Sequence, residues 1–162
     1  MGYILEKNTI TEVIKQLKKS GNKIVFTHGA FDLFHVGQLE FLRKCKEKGQ
    51  ILIVALESDA RISLYKGTDR PVIPLDQRLG IVSRVQGVDF AFPISGKEFT
   101  IQYYLKLYDE LQPSIVTYGR QYGGENIIQS AEEYFTDIKF KRVTHKYDKL
   151  QSTTKIIDKI RK

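Results

Sequence analysis

Apolar runs of strand length alternate along the chain with segments whose apolar residues recur at helical spacing. Residues 9–20 come first: Ile10, Val13, Ile14 and Leu17 form one face, Thr9 and Glu12 fit a capping box, and Gly21 ends the segment. The run Ile24-Val25-Phe26 then predicts a buried strand. It turns at Gly29 and passes into a helix, on which Val36, Leu39, Leu42 and Cys45 recur every three residues before Gly49 stops it. Residues 51–56, ILIVAL, form a second apolar strand. Two such strands joined by a helix make a right-handed parallel βαβ unit.

A polar stretch, Glu57 to Arg61, follows, and Arg70-Pro71-Val72-Ile73-Pro74 breaks regular structure. Pro74 opens a helix carrying Leu75, Leu79, Val82 and Val85, and residues 88–94 read as a third strand. A helix over 99–111, a short strand at 114–117, a glycine-rich loop at 118–124, a helix near 125–134 and a strand near 138–143 come next. Ser152-Thr153-Thr154 begins a last helix with Ile156, Ile157 and Ile160. No repeat, low-complexity stretch or linker divides the chain. The pattern predicts a single α/β domain over 1–162, Rossmann-like and doubly wound, with a mainly parallel five-stranded sheet. Its N-terminal helix lies within 8–22 and the core within 23–162.

Composition narrows the setting. Hydrophobic residues make up 41% and charged residues 28%, a globular balance in a chain of 162 residues. No run reaches membrane-spanning length, residues 1–7 have no secretory apolar region, and the single cysteine, Cys45, excludes an internal disulfide. A cytoplasmic protein that needs neither membrane nor nucleic acid is the simplest expectation. Cys45 belongs to a core face rather than to chemistry. The 26 Lys+Arg against 19 Asp+Glu give a net charge of +7, which suits anionic partners or a solubilising surface. Basic residues are spread along the chain without a zinc-finger or RNP motif, so RNA binding is the weakest reading.

Candidate chemistry concentrates where the first long strand passes into its helix. A helix N-terminus there presents free N–H groups and the positive end of its dipole to an anion. Gly29 permits close backbone approach, Gly37 removes bulk at the helix start, Asp32 can hold the turn through backbone N–H groups, and His35 offers a donor that can carry charge. Lys66, Arg70 and Arg78 are basic residues around the Pro71–Pro74 break, where Arg70-Pro71 could simply shape the turn. Ser152, Thr153 and Thr154 can cap a helix, bind phosphate, or both. His28 reads as a bystander, and His145 as part of a polar substrate loop before the last helix.

These residues carry a resemblance. Gly29-Ala30-Phe31-Asp32 followed by His35-Val36-Gly37-Gln38 resembles the G-x-F-D and H-x-G-H signatures of the cytidylyltransferase-like nucleotidyltransferases, with Gln38 in place of the second histidine. The order of Lys66-Gly67, Arg70-Pro71, Gln77-Arg78 and Ser152-Thr153-Thr154-Lys155-Ile156 extends it over most of the chain. The resemblance implies transfer of a nucleotidyl group from ATP or CTP to a phosphorylated sugar or polyol, with pyrophosphate released. The pattern is most similar to members acting on heptose 1-phosphate with ATP, and next to those using glycerol 3-phosphate with CTP. It implies catalytic roles for His35, Gln38, Lys66 and Arg78. Nucleotide contacts fall to Thr27, Gly29, Ala30, Phe31, Asp32, Gly37, Ser152, Thr153 and Thr154, and substrate contacts to Arg70, Tyr118 and Arg120. It further implies Mg²⁺ accompanying the triphosphate, no dedicated metal-ligand cluster, and a homodimer. The alternative is a nucleotide-binding module that has lost turnover.

Overall fold

A computed structural model of the chain describes residues 1–96, 100–119, 124–147 and 152–161. Among the described residues, helices and strands alternate in the order β1 (Tyr3–Ile4), α1 (Lys7–Lys19), β2 (Ile24–Gly29), α2 (Val36–Lys46), β3 (Ile51–Glu57), α3 (Asp59–Lys66), α4 (Leu75–Val82), β4 (Phe90–Ile94), α5 (Ile101–Leu111), β5 (Ile115–Gly119), α6 (Glu125–Tyr134), β6 (Lys139–Val143) and α7 (Thr153–Ile160). The strands form one parallel sheet in the order β1-β4-β3-β2-β5-β6. The α/β doubly wound reading is right, but the sheet has six strands rather than five. The extra one is Tyr3–Ile4, two exposed residues added to the edge beside Phe90 and Ala91. A strand that short leaves no periodicity to detect.

Alternate strand residues feed two cores. Phe26, Ile53 and Phe92 meet Ile10, Ile14, Tyr104, Leu107 and Ile127 on one face. Val25, Leu52, Val54 and Ala91 meet Leu42, Cys45, Leu79 and Val82 on the other. Both faces are covered, so β3 can be apolar from Ile51 to Leu56. Cys45 is buried at the second face, and burial pushes its thiol pKa up to about 12, leaving it inert.

Three local expectations change. Helix α1 starts at Lys7 with Glu6 as an N-cap that makes no side-chain cap bond, so the capping box at Thr9 and Glu12 does not form. On α2 the buried residues are Gly37, Leu42 and Cys45, whereas Val36 and Leu39 are exposed. Strict three-residue spacing drifts around a helix of 3.6 residues per turn, so Val36 and Cys45 end up on opposite sides. The polar stretch after β3 becomes α3, where the Ser58 hydroxyl caps Arg61 N–H at 3.3 Å and Asp59 stands in the first turn.

The order places β2 at the centre: β3 and β4 build outward on one side, β5 and β6 on the other. Strand order therefore reverses between β2 and β5, and their carboxyl ends frame the crevice where such sheets bind ligands. Thr27 and Thr117, fully buried partners in the ladder, lock this junction. Thr27 Oγ1 donates to Thr117 O at 2.9 Å, and Thr117 Oγ1 to Phe26 O at 3.2 Å.

Candidate active site

The turn from Gly29 to His35 is irregular for residues with side chains. Phe31 (φ 49°) and Leu33 (φ 43°) both occupy the left-handed region, which disfavours bulky residues. The surroundings hold them there. Phe31 anchors its ring in the core. Between them the buried Asp32 carboxylate accepts from the N–H groups of Leu33 (3.0 Å), Val72 (3.1 Å) and Ile73 (3.0 Å) and from Arg70 Nε (3.0 Å). Burial works to raise the Asp32 pKa, but the bonds from Ile73, Val72 and Arg70 outweigh it and hold the carboxyl below the usual carboxylate range. Arg70 Nη2 also lies 2.8 Å from Asp32 Oδ2.

Arg78 closes the turn from behind. Its side chain is fully buried and donates to Ile73 O (2.9 Å), Ala30 O (2.5 Å), Glu57 O (2.8 Å) and Asp59 Oδ1 (2.6 Å). A planar fork with five donors suits such a hub. From the third side, Thr153 Oγ1 on α7 donates to Asp32 O at 2.7 Å. The turn, the 70–73 segment, α4 and α7 thus converge on four consecutive residues.

His35 is the N-cap of α2. Its Nδ1 accepts from Gly37 N–H at 3.1 Å, while Gln38 Oε1 accepts from His35 N–H at 3.2 Å, completing a reciprocal capping box. An accepting Nδ1 leaves the proton of the neutral ring on Nε2. A β-carbon on Gly37 would stand 2.9 Å from His35 Cε1, so only glycine lets the ring fold back over the helix start. Burial, and then the nearby charge of His145, lower the His35 pKa and favour the neutral ring.

A cavity of about 380 Å³ lies between the end of α3 and helix α7, lined by Lys66, Asp69, Arg70, Thr154, Ile157, Asp158 and Arg161. Burial of the Lys66 ammonium, then repulsion from Arg70, lower its pKa, while Glu57 and Asp32 act in the opposite sense. Ser152 Oγ accepts from Lys155 N–H at 3.2 Å and so serves as the N-cap of α7.

The structure brings Gly29, Ala30, Phe31, Asp32, Arg70, Arg78 and Thr153 into one hydrogen-bonded or packed unit, with His35, Gly37 and Gln38 on the adjoining helix start. Lys66, Arg70 and Thr154 share a cavity wall. Thr27 lies beneath, inside the sheet. Tyr118, near the end of β5, is half-buried beneath the Arg142 guanidinium, 5.5 Å from its ring centroid. Arg120 lies outside the described residues.

One group escapes the sequence reading. Glu57, at the end of β3, is buried and accepts from Tyr104 Oη (3.0 Å) and Tyr65 Oη (2.5 Å). His28 Nδ1 lies 3.8 Å from it, and the His28 ring stacks on Tyr104 at 4.5 Å with Nε2 2.9 Å from Tyr108 Oη. Arg61 Nη2 donates to Tyr104 Oη at 3.0 Å. Burial raises the Glu57 pKa, but His28, Tyr65 and Tyr104 together bring it below its usual range. The available signal was a polar residue at the carboxyl end of each of two buried strands, His28 and Glu57.

Fold and site together define a Rossmann-like nucleotidyltransferase-type domain, with an anion-ready helix start at the switch point. The profile of the cytidylyltransferase-like family matches residues 26–159. The chain belongs to that family. It is 32% identical over 158 residues to the bifunctional protein HldE of Yersinia enterocolitica, covering 98% of this chain and 32% of the relative. It is 35% identical over 156 residues to the bifunctional protein HldE of Geotalea uraniireducens, covering 95% and 30%. The chain therefore spans about a third of the length of these curated relatives. Among solved structures, the lipopolysaccharide core biosynthesis protein of Thermoplasma volcanium superposes with a TM-score of 0.62 at 22% identity, over 76% of this chain and 98% of that one, a likeness of fold.

Proposed function

We propose that the chain transfers a nucleotidyl group from ATP or CTP to a phosphorylated sugar or polyol, with heptose 1-phosphate and ATP the preferred pair and glycerol 3-phosphate with CTP the second. The observation that carries this reading is the rigid assembly of the family signature. The caged Gly29–Asp32 turn sets His35 at the N-terminus of α2, and its ring keeps the Nε2 proton for a phosphate oxygen. An acceptor phosphate is anionic at neutral pH and needs no general base. Its oxygen attacks the α-phosphorus in line as the bond to the β-phosphate oxygen breaks, and that electron pair leaves on pyrophosphate. His35 Nε2–H, Lys66, Arg70 and the Thr154 hydroxyl neutralise and orient the polyphosphate. Asp32, Arg78 and Thr153 keep the turn in shape. The family resemblance supports Mg²⁺ entering with the nucleotide substrate, where it would offset the triphosphate charge; among the described residues no group of three His, Cys, Asp or Glu stands together. Family resemblance supports a homodimer, and the single cysteine suits a cytoplasmic setting. None of the described helices is long and apolar enough to cross a membrane.

The test supplies ATP or CTP, Mg²⁺ and each sugar or polyol phosphate, and follows pyrophosphate. Release with one acceptor is expected, and Gln38→His should accelerate it. Gln38 favours a second reading. Its carboxamide oxygen is engaged by the His35 backbone, and the group cannot become cationic. Tight nucleotide binding without release in both proteins would identify a binding module instead.

A further inference from the structure

Gln38 caps His35 and supplies no second imidazole, yet a second imidazole stands at the same helix start. His145 follows β6 in the segment leading to α7, more than a hundred residues from the signature. Its Cε1 lies 3.5 Å from where a Gly37 β-carbon would be, and His35 Cε1 lies 2.9 Å from that point. The two rings therefore flank one backbone position in the first turn of α2. Its neighbour Thr144 is tied to α2, because Lys44 Nζ donates to Thr144 O at 2.9 Å.

We propose that His145 is a phosphate-contacting residue of this site, supplying from the β6–α7 segment the imidazole that position 38 lacks. The inference rests on the reading of α2's N-terminus as a polyphosphate site. Two neighbouring imidazoles resist being protonated together, and the influence of His145 in lowering the His35 pKa accords with that. His35 has Nδ1 engaged by Gly37 N–H and keeps Nε2–H as a donor, and His145 places a second imidazole beside the same helix start.

The test measures binding of inorganic tripolyphosphate by calorimetry, which requires no turnover. His145→Leu should weaken it about tenfold or more, the scale of one hydrogen bond to a charged group. Gln38→His in the His145→Leu background should recover most of that loss, which a packing role for His145 would not allow. His145→Gln, which keeps polarity without the charge, should fall between, and it serves in place of His145→Leu if thermal unfolding shows the latter misfolded. Unchanged affinity in the His145 variants, or no recovery with Gln38→His, overturns the proposal. A wild-type protein that binds tripolyphosphate but releases no pyrophosphate with any acceptor refutes the transferase reading and leaves this result standing. Absence of tripolyphosphate binding in a wild type that still releases pyrophosphate overturns this proposal and leaves the transferase reading standing.

Discussion

The two walls of the candidate site are built differently. On one side, Asp32, Arg70 and Arg78 are almost wholly buried; Asp32 pairs with Arg70 and takes backbone N–H groups, Arg78 donates to backbone carbonyls, and Phe31 and Leu33 stand between in left-handed conformations. On the other side α7 has no buried residue. Its polar ties to the rest of the molecule include the bond from Thr153 to Asp32 and an exposed ion pair between Arg161 and Asp69. Local stability follows burial, so the first wall should open only with global unfolding, whereas α7 should undock at much lower cost. A preorganised wall fixes the geometry of a reacting phosphate, and a lightly held one admits and releases the nucleotide.

Asp32→Ala should break this comparison most severely. It strands Arg70, 8% exposed, without its carboxylate and leaves the Val72 and Ile73 N–H groups without their acceptor. Loss of one partner of a buried pair costs about 3–5 kcal/mol. Urea unfolding should show that drop, and a loss below about 1 kcal/mol would mean that the turn is not what holds the wall together. Lys66→Ala should separate function from stability. Lys66 is an exposed residue at the end of α3, so the unfolding midpoint should barely move. Removing a preorganised charge should slow pyrophosphate release ~10²–10³-fold. An unchanged rate would remove Lys66 from the phosphate site. Thr153→Val deletes one neutral hydrogen bond between the walls and should cost about 0.5–1.5 kcal/mol. The sharper readout is amide exchange. Protection should fall along α7 and stay unchanged in β2 and β3, and uniform loss would show that α7 is not a separate unit.

Much of the first wall was legible in the sequence, but its division of labour was not. Gly29, Asp32, His35 and Gly37 stood out because a strand, a glycine turn and a helix start create an anion site from local order alone. The pattern could not say whether Arg78 faces a ligand or carbonyls, since that depends on Ala30, Glu57 and Ile73 arriving from three other segments. Thr27 reads identically as a strand residue beside a ligand and as a tie between β2 and β5, and it makes the latter contact. The Glu57 cluster joins β2, β3, α3 and α5, a convergence no local spacing encodes. His145 looked like one more polar residue of a loop because its neighbour Gly37 is far away in sequence.

The smallest effect expected concerns protons, and it separates the start of α2 from the Asp32 cage. The His35 pKa in the folded protein lies below its ordinary value of 6.5. Between those two values the unfolded chain holds more protons than the native one, so stability rises with pH there and levels off above about 6.5. Asp32 obeys the same law in another window. Its folded pKa lies below 3.8, so its contribution is complete above that value and disappears as pH falls through the folded pKa. Titration near neutrality therefore probes the helix start while the Asp32 cage stays intact. His35→Asn keeps an N-cap acceptor for Gly37 N–H but removes the titrating ring. Melting temperatures followed from about pH 5 to about pH 8 should rise less steeply below neutrality in His35→Asn than in the wild type. Identical slopes would show that His35 is as well hydrated in the folded chain as in the unfolded one. In that case its ring would not be desolvated against Gly37 and His145, and the helix start would be less preorganised than its capping box indicates.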